Sequence, residues 1–197
     1  RQLDDFKRFE QELRYWNTKV NLISRKDIEN IYERHFLHSL SLLKYGDFPQ
    51  KSRCVDIGCG GGFPGLPLKI ARTDLRMTLI DSISKKIKMT SMFAKHTGLR
   101  DVEAVCMRAE EAAVHPNYMG KIDIVVSRAV AKIEELMTWC MPMTHQHSSF
   151  YFLKGGDLTN EIYDAAASFP HWNFKVIALN MNGAPFFFEE EKKIIEI

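Results

Sequence analysis

The residues most able to do chemistry stand in one turn and at one strand tip. Val55-Asp56-Ile57-Gly58-Cys59-Gly60-Gly61-Gly62 is an apolar run entering a glycine-rich turn, and Asp81 closes a second run, Met77-Thr78-Leu79-Ile80-Asp81, about 20 residues later. Glycines let a backbone approach a ligand where a Cβ would clash. A carboxylate at the tip of the following strand can accept both hydroxyls of a ribose. The pair specifies an adenosine-containing cofactor.

Two registers compete for the turn. Gly58-x-Gly60-x-Gly62 is the pattern of S-adenosylmethionine-dependent methyltransferases, and Gly60-x-Gly62-x-x-Gly65 matches the dinucleotide fingerprint. The strand ends at Ile57, so Gly58 opens the turn. A dinucleotide loop then needs glycine at 63, where Phe63 stands. Register therefore favours S-adenosyl-L-methionine over a nicotinamide dinucleotide. In that reading Asp56 lies where a carboxylate could help hold the amino-acid end of the cofactor. Arg108-Ala109-Glu110-Glu111 follows the third strand, where Ala109 and Glu110 could bind the adenine edge, and Ser127-Arg128-Ala129 follows the fourth, where donor meets acceptor.

These residues need a parallel sheet to bring them together. Strand patterns fall at 53–57, 77–81, 102–106, 122–127, 149–153 and 173–179, with helical stretches at 66–72, 84–97, 108–113, 131–141 and 157–168. Alternation of this kind builds an α/β fold whose mostly parallel sheet carries helices on both faces. Asn182-Gly183, between apolar runs at 174–179 and 186–197, predicts a C-terminal antiparallel hairpin. Leu3, Phe6, Phe9, Leu13, Trp16 and Val20 mark an amphipathic helix over 3–20. Ser24-Arg25-Lys26-Asp27 reads as a capping box for a second helix running through Leu43. The expected organisation is an N-terminal helical extension (1–50) and a methyltransferase domain (51–197) forming one compact unit.

With 197 residues, 45% hydrophobic and 26% charged, the chain can bury the core of one such domain. No apolar run approaches the ~20 residues of a membrane span, and none reads as a signal peptide. The sequence begins at Arg1, so a short preceding segment is expected. Its four cysteines lack metal or disulfide spacing and read as the reduced thiols of a cytoplasmic protein. His145-x-His147 reads as a solvated loop and not as a metal site. Charge is uneven: residues 51–100 hold ten Lys/Arg against three Asp, although the whole chain carries only +2. That excess points to an anionic partner near the glycine turn, with Lys85, Lys86 and Lys88 as candidate phosphate contacts, or to solvated helix faces.

Seven segments, taken in order, resemble the RsmG (GidB) family of bacterial 16S rRNA guanine-N7 methyltransferases. They are Trp16-Asn17-x3-Asn21-Leu22, Arg34-His35-x3-Ser39-Leu40, the turn through Phe63-Pro64-Gly65, Leu79-x-Asp81-Ser82, Arg108-x-Glu110-Glu111, Ser127-Arg128-Ala129 and Leu153-Lys154-Gly155. The resemblance spans nearly the whole chain and implies a class I (Rossmann-like) fold with a seven-stranded sheet. It also implies 16S rRNA or the assembling small subunit as partner, with guanine 527 as target. By that likeness Gly58, Gly60 and Phe63 line the cofactor, Asp81, Ser82 and Ile83 meet the ribose, Ala109 and Glu110 the adenine, and Arg128 both the cofactor and the reaction site. Lys154 looks poised at the substrate-facing end of its strand. His38 departs from the acid common at that place, and Glu189-Glu190-Glu191 makes the tail more acidic than expected.

The resemblance agrees with what the residues can do. Guanine N7 carries a free lone pair, so positioning by Arg128 and Lys154 serves without a general base. Ser127-Arg128-Ala129 is not the Asp/Asn-Pro-Pro-aromatic motif of amine methylation, and neither Cys54 nor Cys59 is placed as a nucleophile for pyrimidine C5. A monomer, no metal and no membrane contact are expected. A nicotinamide-dependent oxidoreductase and an inactive RNA-binding module are the competing readings.

Overall fold

A computed structural model describes all residues, 1–197. Seven strands form one sheet: β1 (Arg53–Ile57), β2 (Arg76–Asp81), β3 (Val102–Cys106), β4 (Ile122–Arg128), β5 (Thr144–Lys154), β6 (Lys175–Ala178) and β7 (Lys193–Glu196), in the order β3-β2-β1-β4-β5-β7-β6. The β1–β5 pairings are parallel, and β7 runs antiparallel to both β5 and β6. The strands of a two-half dinucleotide fold run in the order 3-2-1-4-5-6. Insertion of a reversed β7 beside β5 breaks that pattern. The connection from β1 returns to one side and that into β4 to the other, so a crevice opens between the carboxyl ends of β1 and β4.

Apolar side chains on both sides of the sheet explain why its central strands are buried. One core packs α1 (Gln2–Asn17), α2 (His38–Tyr45), α3 (Gly65–Ala71) and α4 (Ser84–His96) on one face; α5 (Ala109–Ala113), α6 (Ile133–Cys140) and α7 (Thr159–Ser168) cover the other. Phe9 sits at the centre of the first core, its ring 5.3 Å from Phe63, 5.4 Å from Phe36 and 5.5 Å from Phe93. The N-terminal extension therefore shares its core with the glycine turn.

Several local expectations need correction. The first helix stops at Asn17, whose buried Oδ1 accepts the Leu22 and Ile23 N–H groups at 2.9 and 3.0 Å and turns the chain back toward the sheet. Ser24 makes no side-chain cap: Asp27 is drawn to Arg34 (2.8 Å), and the expected second helix becomes a 3-10 stretch over Arg25–Asn30, a wide π turn over Tyr32–Leu37, and then α2. Asn182-Gly183 does form a tight turn, with Gly183 at φ +80° and a bridge between Met181 and Ala184. The run after it is not all strand. Residues Phe186–Glu189 form α8, and pairing with β6 begins only at Lys193. His145 and His147 belong to the start of β5, not a loop, and His145 Nε2 lies 2.9 Å from Asp123 Oδ1.

Candidate functional site

The glycine turn is held from beneath. Gly58 and Cys59 donate to the Ile80 carbonyl (2.8 and 3.0 Å), so the turn is pinned to the neighbouring strand. Gly58, Gly60 and Gly62 have φ of +68°, +54° and +96°, conformations that disfavour any side chain. A Cβ on Gly58 would stand 2.3 Å from Val130 Cγ2, whereas one on Gly60 would meet nothing closer than 3.8 Å. The glycines thus satisfy the turn's own packing as well as a ligand's approach. Gly65 serves close packing too, since its Cβ would lie 2.3 Å from Leu79 and 2.9 Å from Asp56 Oδ2.

Asp81 organises the crevice. Its Oδ2 accepts the Gly60 N–H (2.9 Å) and its Oδ1 the Ile83 N–H (2.8 Å), which aims the carboxylate and leaves lone pairs for a diol. Around it lies a crevice of about 460 Å³, within the usual size of small-molecule sites. Gly58, Gly60, Phe63, Asp81, Ser82, Ala109, Glu110 and Arg128 all line it. Ile83 does not; its N–H is spent on Asp81 and its side chain faces solvent. Asp56 is fully buried beneath the turn, accepting the Gly65 N–H at 2.7 Å, and does not reach the crevice. Burial pushes its carboxyl up to about 7.

A second crevice, about 470 Å³, meets the first at Arg128 and Ala129. Lys154 lines it, together with Asp27, Arg34, His35, His38, Glu161, Glu190 and Lys192, among others. The Lys154 ammonium donates to the Ala131 carbonyl and to Glu161 Oε1 (2.5 Å), so it braces the segment after β4 against α7. Arg128 stands at the junction. Its guanidinium lies 4.9 Å over the Phe63 ring. Burial lowers it to about 10 against the pull of Asp56 and Asp27, and it remains cationic at neutral pH. Burial, together with the Arg128 and Arg34 charges, depresses His35 to about 3 and leaves it neutral.

Sequence reasoning missed Leu22, Met107 and Trp139 in the first crevice and most of the second. Leu22 arrives through the Asn17 turn. Asp27 carried only a capping signal, and Arg34 and His35 only their place in a family motif; neither signal assigned them to a crevice. The basic stretch divides: Lys69 is buried and donates to the Thr73 and Leu75 carbonyls, Arg72 pairs with Asp74 at 2.8 Å, Lys86 lines the first crevice, and Lys85 and Lys88 are exposed on the same helix. All four cysteines are free, and no helix is long and apolar enough to cross a membrane.

A sheet with this strand order, a glycine turn at its switch point and an acid on the tip of β2 define a class I S-adenosylmethionine-dependent methyltransferase. The fold recurs in the Bacillus subtilis tRNA methyltransferase TrmK (TM-score 0.62, 9% identity, covering 81% of this chain and 64% of that one). It recurs again in a mutant of MtNAS in complex with S-adenosylmethionine (TM-score 0.60, 12% identity, 98% and 70%). The family model GidB, rRNA small subunit methyltransferase G, matches residues 2–186, and the chain belongs to that family. Among its relatives, the ribosomal RNA small subunit methyltransferase G of Roseiflexus sp. (strain RS-1) is 40% identical over 178 residues, covering 90% of this chain and 75% of the relative. That of Flavobacterium psychrophilum is 38% identical over 205 residues, covering 100% and 90%.

Proposed function

We propose that the chain transfers the methyl group of S-adenosyl-L-methionine to N7 of a guanine in 16S ribosomal RNA, acting as a cytoplasmic monomer. The observation that carries this reading is the meeting of two crevices at Arg128 and Ala129, one with the ribose-type acid Asp81 and one lined by mixed charge. When bound, the cofactor supplies an electrophilic sulfonium methyl. Gly58, Gly60, Phe63, Asp81, Ser82, Ala109 and Glu110 would hold it, with Ile83 acting only through its N–H on Asp81.

Guanine N7 has a lone pair and no proton, so its bond to the methyl carbon forms as the sulfur–carbon bond breaks, with no base required. The work left to the protein is alignment. Arg128 is placed to donate to guanine O6 beside N7. Lys154 positions the segment carrying Arg128–Ala131 and keeps one N–H for the substrate. A base inside folded RNA must be exposed to enter the crevice.

The test is tritiated methyl transfer to 16S rRNA from a strain lacking the activity, followed by mapping of the modified base. Arg128→Ala should lower turnover by about 100-fold or more, in line with loss of a charged hydrogen bond and its alignment, while S-adenosylhomocysteine still binds. Wild-type turnover in that variant would refute the assignment of Arg128.

A further inference from the structure

The second crevice has a polarity that follows the edges of one base. At its junction with the cofactor crevice stands the Arg128 cation. Asp27, near enough to Arg128 to oppose its deprotonation, adds a carboxylate to the wall. Asp27 is held rather than spent: Oδ1 takes the Arg34 guanidinium at 2.8 Å, while Oδ2 sits 3.6 Å from His35 Nε2, beyond hydrogen-bond reach. The other two acids are more committed or more exposed. Glu161 Oε1 accepts Lys154 and the Ile133 N–H (2.7 Å), and Glu190 is drawn to Lys192 at 3.3 Å.

The wall also holds unpartnered polar groups. Both ring nitrogens of His35 and Nε2 of His38 lack a hydrogen-bond partner, although the residues are only 6% and 5% exposed. Buried polar atoms of this kind demand a partner that the chain itself does not provide. Arg34 lies 5.0 Å over the Phe186 ring, which fixes the guanidinium that orients Asp27.

We infer that Asp27 is the specificity-determining residue of this crevice, its free Oδ2 accepting N1–H and the exocyclic N2–H of guanine while Arg128 donates to O6. The inference rests on the guanine-N7 reading. With N7 directed at the cofactor crevice, O6 lies on the same side of the base, next to Arg128. The N1–H and N2–H donors then lie along the adjoining edge, and a carboxylate there accepts both. Adenine reverses the pattern, with an amino donor beside N7 and a bare acceptor at N1. It would set donor against Arg128 and acceptor against Asp27, so the same two residues that admit guanine reject adenine.

The experiment uses the full chain and 16S rRNA carrying either guanosine or inosine at the methylated position, offered free and assembled into small subunits. Inosine keeps N7, O6 and N1–H and lacks only the N2 amino group. Wild-type protein should methylate the guanosine substrate at least about 10-fold more efficiently in kcat/KM, the loss expected for one hydrogen bond to a charged acceptor. Asp27→Asn should reduce that ratio to within about 3-fold, with S-adenosylhomocysteine binding retained. Equal use of the two substrates by wild-type protein overturns the inference without reference to any variant. So does an undiminished ratio in Asp27→Asn. A wild-type protein that methylates neither substrate at N7 refutes the guanine-N7 reading instead, which keeps the two failures distinct.

Discussion

At the scale of single residues, Asp56 and Asp81 show how position decides what a carboxylate does. Asp81 is the last residue of β2, and Asp56 the last but one of the neighbouring β1. Asp81 takes two backbone N–H groups and opens to the crevice. Asp56 takes one and leaves Oδ1 buried without a partner. Its folded-state pKa of about 7 lies above the ordinary value of 3.8, so the folded state holds a proton that the unfolded chain releases. Stability from this group is therefore lost as pH rises from about 4 to 7, and the loss is complete above that window. Asp56→Asn keeps an oxygen for the Gly65 N–H and cannot ionise. Its melting temperature relative to wild type should accordingly climb between pH 5 and pH 8. A pH-independent difference would show that Asp56 is ionised throughout. The same contrast explains what the sequence revealed of the site: a glycine turn and an acid at a strand tip have their own spacing, and Gly58, Gly60, Asp81 and Arg128 were legible. The place of Asp27 and His35 in the second crevice was not, although a capping signal and a family motif included them, because it depends on Arg34 and on a π turn that periodicity does not encode.

At the scale of elements, the first four strands and their helices were readable to within a residue or two, since each is a short apolar run bounded by a turn or a cap. Glu111 and Glu135 close back on the Arg108 and Lys132 N–H groups (3.0 and 3.2 Å) and fix the starts of α5 and α6. The last hairpin was readable only in outline. Phe186 and Phe187 look like strand residues in sequence, yet they bury themselves against His38 as a short helix (ring distances 6.2 and 5.7 Å). The N-terminal extension is joined to the site through Phe9 on Phe63. Phe9→Ala should cost about 3–5 kcal/mol in urea unfolding, the range for a fully buried phenylalanine. Because Phe63 lines the crevice, the same change should weaken S-adenosylhomocysteine binding several-fold by calorimetry. Lost stability with unaltered affinity would show that the extension supports the fold and leaves the site untouched.

At the scale of the whole molecule, charge must reconcile a net +2 with an RNA substrate. Not every cation in the basic stretch faces outward: Lys69 braces a turn, and Arg72 is neutralised by Asp74. Of the acids Glu189, Glu190 and Glu191, Glu190 lines the second crevice, and Lys192 and Lys193 partly offset Glu190 and Glu191. We propose as phosphate contacts Lys86, which lines the cofactor crevice, and Lys85 and Lys88, exposed on the same helix α4. Three such contacts predict a modest salt dependence, with rRNA affinity falling about 20- to 40-fold between 50 and 200 mM monovalent salt. Lys85 and Lys88 are exposed on α4, so Lys85→Gln with Lys88→Gln removes charge without opening the core. The double variant should bind more weakly at low salt and show a slope reduced by about two contacts, converging on wild type as salt rises. Its affinity for S-adenosylhomocysteine should not change, because only Lys86 lines that crevice. Filter binding across a salt series measures both slopes. An unchanged slope would move the RNA-facing surface away from α4 and onto the rim of the second crevice, where Arg34 and Lys192 stand.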